Sequence, residues 1–289
     1  MGSMTVKDMV AWANDNTPLV MGVLGLLSMV ILWRIRVLRV GGLDSGARDV
    51  KPVPAVMWLF AAVATFLAFG IGGQLALELL EHPQDPGPRE NAIQAILAAG
   101  IGALFGIGLV WFIYRQAKSS GTKPDWVDLP LGIGLFVVVY PLVALAGILA
   151  QAVARGLDTV PQDRLAHNTL QLIAQNRDNE WNWALIGAII VLVPIAEELI
   201  YRVFMQSMFL RIVRSRWGAV LITSVVFTIA HWTVLPVGGR HALASLFVLS
   251  VCLGASYERT GRLGVPIVMH ACFNAFNIML AFVLDPMSE

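Results

Sequence analysis

The feature that most constrains this chain is a series of apolar runs, each long enough to cross a bilayer. A hydrocarbon core about 30 Å thick takes about 20 residues of α-helix. Such runs fall near residues 19–40, 53–80, 92–114, 129–154, 183–209, 217–235, 242–257 and 265–284. In lipid only a helix or a closed barrel satisfies its own backbone hydrogen bonds. The runs are continuous rather than alternating, so the expected fold is all-α, a polytopic membrane helical bundle of about eight transmembrane helices. Composition agrees, with 57% hydrophobic and 13% charged residues and a mean hydropathy of +0.72, where soluble domains carry about 25% charge.

The net charge of +1 gives no basis for nucleic-acid binding, and the sequence leaves the oligomeric state open. The two cysteines, Cys252 and Cys272, both sit inside apolar runs, which excludes a disulfide framework or a Cys-x-x-Cys metal site. Residues 1–16 are a polar lead whose Met1-Gly2-Ser3-Met4 reads as a cloning remnant, with no signal-peptide pattern ahead of the first span. Residues 17–124 are then three accessory helices, and residues 125–289 a core of five.

Arginine and lysine collect in alternate connections: Arg34, Arg36, Arg39, Arg48 and Lys51; Arg115, Lys118 and Lys123; Arg211, Arg214 and Arg216; Arg259 and Arg262. With eight spans all four lie on one side, which the positive-inside tendency makes cytoplasmic, with both termini outside. The other side receives Glu78, Glu81, Asp85 and Glu90, and a mixed segment from 155 to 180 that is a loop or an interfacial amphipathic element around Pro161, Leu165, Leu170, Leu172 and Ile173. The expected location is a bacterial inner membrane. In the third span Gly102 and Gly106 have the small-xxx-small spacing that lets helices approach; Gly70, Gly72 and Gly73 pack or kink the second.

Against this background, polar side chains inside the last four spans need a reason, since an ionisable group at mid-bilayer costs roughly 2.5–3.5 kcal/mol on insertion scales. The fifth span holds Glu197-Glu198-Leu199-Ile200-Tyr201-Arg202. Glu198 and Arg202 are four apart and can pair on one face, while Glu197 points about 100° away towards a cavity. The sixth carries Phe227 and His231 one turn apart, and the eighth His270 and Asn274, with Asn277 beyond. Taken singly, a histidine is a hydrogen-bonded packing residue and an asparagine is interhelical glue. Taken together, they supply a carboxylate, two imidazoles and an amide, without a serine or cysteine nucleophile. A buried carboxylate beside a histidine can deprotonate water, and a second histidine with an asparagine can donate to the oxyanion formed on a carbonyl. That chemistry is amide hydrolysis. Axial counting leaves one tension: Glu197 and His270 fall within about 10 Å of the basic edge and His231 about 20 Å deep.

The order Glu197-Glu198-x-x-x-Arg202, Phe227-x-x-x-His231, His270-x-x-x-Asn274 resembles the three signature motifs of the CAAX protease and bacteriocin-processing family of intramembrane endopeptidases. The resemblance covers about residues 129–284. It implies that Glu197 and His231 activate water, that His270 and Asn274 stabilise the oxyanion, and that Glu198, Arg202 and Phe227 support them. It implies a membrane-anchored or lipidated protein or peptide as substrate. No cofactor is firmly implied; the residues suit a metal-free glutamate protease, and a divalent ion such as zinc, held by Glu197, His231 and His270, is the alternative. Two further classes stand beside the protease: a non-catalytic membrane scaffold or immunity-type protein, and a proton-coupled transporter, for which the chain lacks a convincing internal repeat.

Overall fold

The computed structural model describes residues 6–39, 41–44, 48, 53–81, 84–117, 125–156 and 168–284. The helices are α1 (Val6–Arg34), α2 (Ala55–Leu79), α3 (Pro88–Ala117), α4 (Asp128–Gly156), α5 (Asn168–Gln175), α6 (Glu180–Val213), α7 (Arg216–Ala230), α8 (Ala242–Thr260) and α9 (Gly264–Leu284). The described residues form helices joined by turns and short irregular segments, with no strand among them. Seven helices are long and apolar enough to cross a membrane: all of these except α5 and α7, with α1 counted from Asn16.

The sixth expected span is shorter than the hydropathy suggests. It is a 15-residue helix that stops at Ala230 and hands over to turns at 231–234, about 22 Å at 1.5 Å per residue. Trp232, Val234 and Leu235 continue the apolar pattern, but Pro236 disfavours helix in the residue before it. Apolarity alone therefore marked the wrong end.

Packing partners fix the directions. Gly25 of α1 faces Leu142 and Leu145 of α4, and Gly102 of α3 faces Phe69 of α2. The α2–α3 approach is close enough that a Cβ on Gly72 would stand 2.4 Å from the Leu97 carbonyl oxygen, which explains the small residue there; α2 runs through it without a break. Gly106 lets α3 meet Leu199 of α6. Chain segments around Arg48, Ser207, Arg216 and Glu258 meet at one end of the bundle. Arg262 pairs there with Asp125 at 2.9 Å and Asp128 at 2.5 Å. The basic connections thus share an end, as their spacing predicts; Lys51, Lys118 and Lys123 lie outside the described residues.

Part of the mixed connection is the short helix α5, whose Ile173 is fully buried against Ala92, Leu185, Ile186 and Ile278. Pro161 and Leu165 lie outside the described residues. An apolar cavity of about 530 Å³ opens between α1, α4, α7 and α8, lined by Leu32, Leu135, Val139, Trp217 and Val251 and touched by Met269.

Candidate active site

α6 is a continuous helix interrupted by two wide π turns, Ala188–Leu192 and Leu199–Met205. Such turns tend to occur at functional sites. The first has a local cause. Val193 N–H bonds to the Ala188 carbonyl, five residues back, and the next bond in that register would run from residue 194 to Ile189. Residue 194 is proline and has no N–H to give. The orphaned Ile189 carbonyl accepts instead from Asn274 Nδ2 at 2.8 Å, which pins α9 to α6.

The charged residues straddle the start of the second π turn, with Glu198 just before it and Arg202 inside it. Glu198 and Arg202 are both fully buried, with Nε to Oε2 at 2.8 Å, and the guanidinium also donates to Ser250 Oγ at 3.1 Å. Glu198 Oε1 lies 3.0 Å from His270 Nδ1. Since the salt-bridged carboxylate accepts, that ring nitrogen donates, and His270 presents Nε2 on its other side.

Glu197 is placed differently. Its side chain keeps 17% exposure, and Oε1 and Oε2 stand 3.9 Å from His231 Nε2 and 3.8 Å from His270 Nε2. Both separations are just beyond hydrogen-bond reach, and Oε2 is buried without a hydrogen-bond partner. His231 caps the C-terminus of α7, where the last carbonyls lack helical partners. Its Nδ1 donates to the Phe227 carbonyl at 2.8 Å, which leaves the Nε2 lone pair facing Glu197. Phe227 is fully buried between the rings of Tyr201 (4.9 Å), His231 (4.4 Å) and His270 (6.2 Å), with the Arg202 guanidinium 5.4 Å from its centroid.

The depth mismatch expected from sequence does not arise. α6 runs on to Val213, past the expected end at 209, and turns through Arg214, whose φ is +54°. Glu197 and His231 each stand seventeen positions from Arg214, on opposite arms of one helical hairpin, so they reach the same depth. His270 joins them from α9. Asn277 bonds to the Phe273 carbonyl of its own helix at 2.8 Å, so it is not interhelical glue.

Sequence reading missed the partners of these residues. Ser250 and the Ile189 carbonyl carry no sequence signal of their own. Gln206 continues the 198–202 stripe by one more turn and could have been found by that spacing. At the basic end Glu258, fully buried, takes Arg48, Arg216 (2.5 Å) and Gln206 (2.7 Å), while Arg48 also reaches Ser207. Burial alone would lower the Arg48 pKa, but Glu258 and Tyr257, whose ring lies 4.3 Å from the guanidinium, hold it above the ordinary arginine value.

As candidate metal ligands, Glu197, His231 and His270 do face one another, yet among the described residues no three His, Cys, Asp or Glu close around a common centre.

A helical bundle with seven membrane-length helices among the described residues supports an integral multi-pass membrane protein, and inside it a partly buried carboxylate stands between two imidazoles. Residues 179–276 match the family model described as type II CAAX prenyl endopeptidase Rce1-like, so this segment is similar to that family. The match spans α6 to α9 and contains all three polar pairs, and it supports endopeptidase activity. It begins after α4, which the resemblance read from sequence had included. No curated protein and no solved structure matches the chain.

Proposed function

We propose that this protein cleaves a peptide bond of a membrane-associated substrate with a water molecule activated by Glu197 and His231. The observation that carries the reading is the geometry around Glu197: two acceptors, its carboxylate and the His231 Nε2 lone pair, face each other 3.9 Å apart with no proton between them. A water there donates one proton to each and directs its lone pair outward. The carboxylate takes the proton as the water oxygen attacks the carbonyl carbon, and later delivers it to the leaving amine nitrogen. In its doubly protonated form His270 donates from Nε2 to the developing oxyanion, its Nδ1–H held by Glu198, which Arg202 in turn orients. Asn274 spends one N–H on Ile189 and has a second for the same oxyanion.

In this reading residues 125–289 form the protease core, residues 17–124 an accessory layer, and the basic end faces the cytoplasm of a bacterial cell. The substrate class is a lipidated or otherwise membrane-anchored peptide. Water activation requires no metal, so extensive dialysis against a chelator leaves cleavage unchanged; loss restored by zinc would replace this mechanism with one in which Glu197, His231 and His270 hold the ion. The primary test reconstitutes the full chain in lipid nanodiscs with prenylated and unprenylated membrane-tethered peptides. Cleavage by the unsubstituted protein and none by Glu197→Gln is expected, and equal cleavage by both would overturn the proposal.

A further inference from the structure

Between the candidate site and the Glu258 cluster lie three buried polar atoms without a protein partner: Arg202 Nη2, Gln206 Oε1 and Thr223 Oγ1, all on fully buried residues. They come from adjoining turns of packed helices. Gln206 Nε2 donates to Glu258 Oε1 at 2.7 Å and to the Gly254 carbonyl at 3.2 Å, which fixes the amide so that Oε1 points away from Glu258. A Cβ on Gly254 would stand 2.8 Å from that oxygen and 3.1 Å from Val220, so the missing side chain makes room for it. On α7, Val220 meets Gly254 and Phe227 lies against Arg202, and Thr223 is on the same helical face between them. Neighbouring hydroxyls on α7 are consumed by their own helix: Ser224 donates to the Val220 carbonyl and Thr228 to the Ser224 carbonyl, each at 2.8 Å. Thr223 makes no such bond.

An arginine N–H donor, an amide acceptor and a hydroxyl on converging faces are complementary to one water, which typically makes about three hydrogen bonds when buried. Leaving any of them bare costs roughly 1–3 kcal/mol. We infer that a single buried water, accepting from Arg202 Nη2 and bonded to Gln206 Oε1 and Thr223 Oγ1, joins the Glu258 cluster to the Arg202–Glu198–His270 chain, and that Gln206 and Thr223 are positioning residues for that chain. The polar path then runs unbroken from Arg48 and Arg216 through Glu258, Gln206, the water, Arg202 and Glu198 to His270. Its consequence is that the orientation of His270 is set from the basic end of the bundle, including by Arg48 in the connection between α1 and α2. The positioning role rests on the endopeptidase reading; the water does not.

Two measurements on the full chain in nanodiscs test this. A map resolving ordered solvent is expected to show one water within hydrogen-bond distance of all three atoms, and a map in which Arg202 Nη2 and Gln206 Oε1 bond directly to each other or to other protein atoms overturns the site. Thr223→Val keeps the shape and removes the hydroxyl; it is expected to lower kcat about tenfold with KM unchanged, as outer hydrogen-bond partners of functional groups do. Thr223→Ser should restore the rate, whereas a purely structural threonine would lose stability without this kcat-specific, serine-rescued loss. Unchanged kcat in Thr223→Val overturns the positioning role. Absence of cleavage by the unsubstituted protein overturns the endopeptidase reading and the positioning role with it, and leaves the water to be decided by the map.

Discussion

Two buried acids of this bundle are held in opposite ways. Glu258, at the basic end, accepts from two arginines and a glutamine, and those partners are themselves tied to Ser207 and to the Arg48 carbonyl. Glu197, in the middle, has two histidine nitrogens just out of reach and one oxygen with no partner at all. The first arrangement is what a buried charge needs in order to be stable. The second leaves binding capacity unspent, which is useful only if something else comes to take it. Glu198, next to Glu197 in sequence, belongs to the first type, so one residue step along α6 separates a structural acid from the candidate reactive one.

The sharpest way to break this contrast is to neutralise each acid. Glu197→Gln should cut the cleavage rate by about 10²–10⁴-fold, the usual worth of a general base, while the melting temperature in detergent or nanodiscs barely changes. Glu258→Leu should do the reverse, removing about 3–5 kcal/mol of stability because the buried Arg48 guanidinium and the partly exposed Arg216 lose their counter-charge. Its activity per folded molecule, measured at low temperature, distinguishes destabilisation from a direct effect. If Glu197→Gln instead melts the bundle, the two acids are alike and the contrast fails.

Asn274 tests the boundary between the two kinds of residue. Asn274→Ala frees the Ile189 carbonyl, and if the side chain is glue alone stability drops by about 0.6 kcal/mol with kcat intact. If its second N–H serves the oxyanion, kcat falls by about 10²–10³-fold as well. Asn277→Ala, which removes a bond within one helix, should change neither beyond a few tenths of a kcal/mol.

The smallest effect is expected at the Asp125–Arg262 pair outside the membrane. The hydrogen bond from Arg262 holds the Asp125 carboxyl below its ordinary value. A depressed carboxyl contributes stability above its ordinary pKa and loses that contribution as the pH falls through its folded value. Asp125→Asn should therefore lower the melting temperature slightly near neutrality and slightly reduce its drop under strong acid, as read by melting scans across pH.

Much of the site was legible because the requirement is local. Charged residues inside an apolar run are conspicuous, and helical spacing alone paired Glu198 with Arg202 and separated Glu197 from both. The same reasoning misjudged α7, since hydropathy reports transfer into lipid and not where a helix stops. It also assigned Asn274 without its Ile189 contact, because that bond exists only where Pro194 removes a donor from a π turn on another helix.

By itself the sequence determined the membrane helices, the shared basic end and the set of polar residues, because each follows from side-chain chemistry and a period of 3.6 residues. Only the tertiary structure decided which acid is saturated and which is left waiting. Glu258 meets Arg48 across 210 positions and His270 meets Glu198 across 72, and contacts at such separations arise from how helices pack, not from any local pattern.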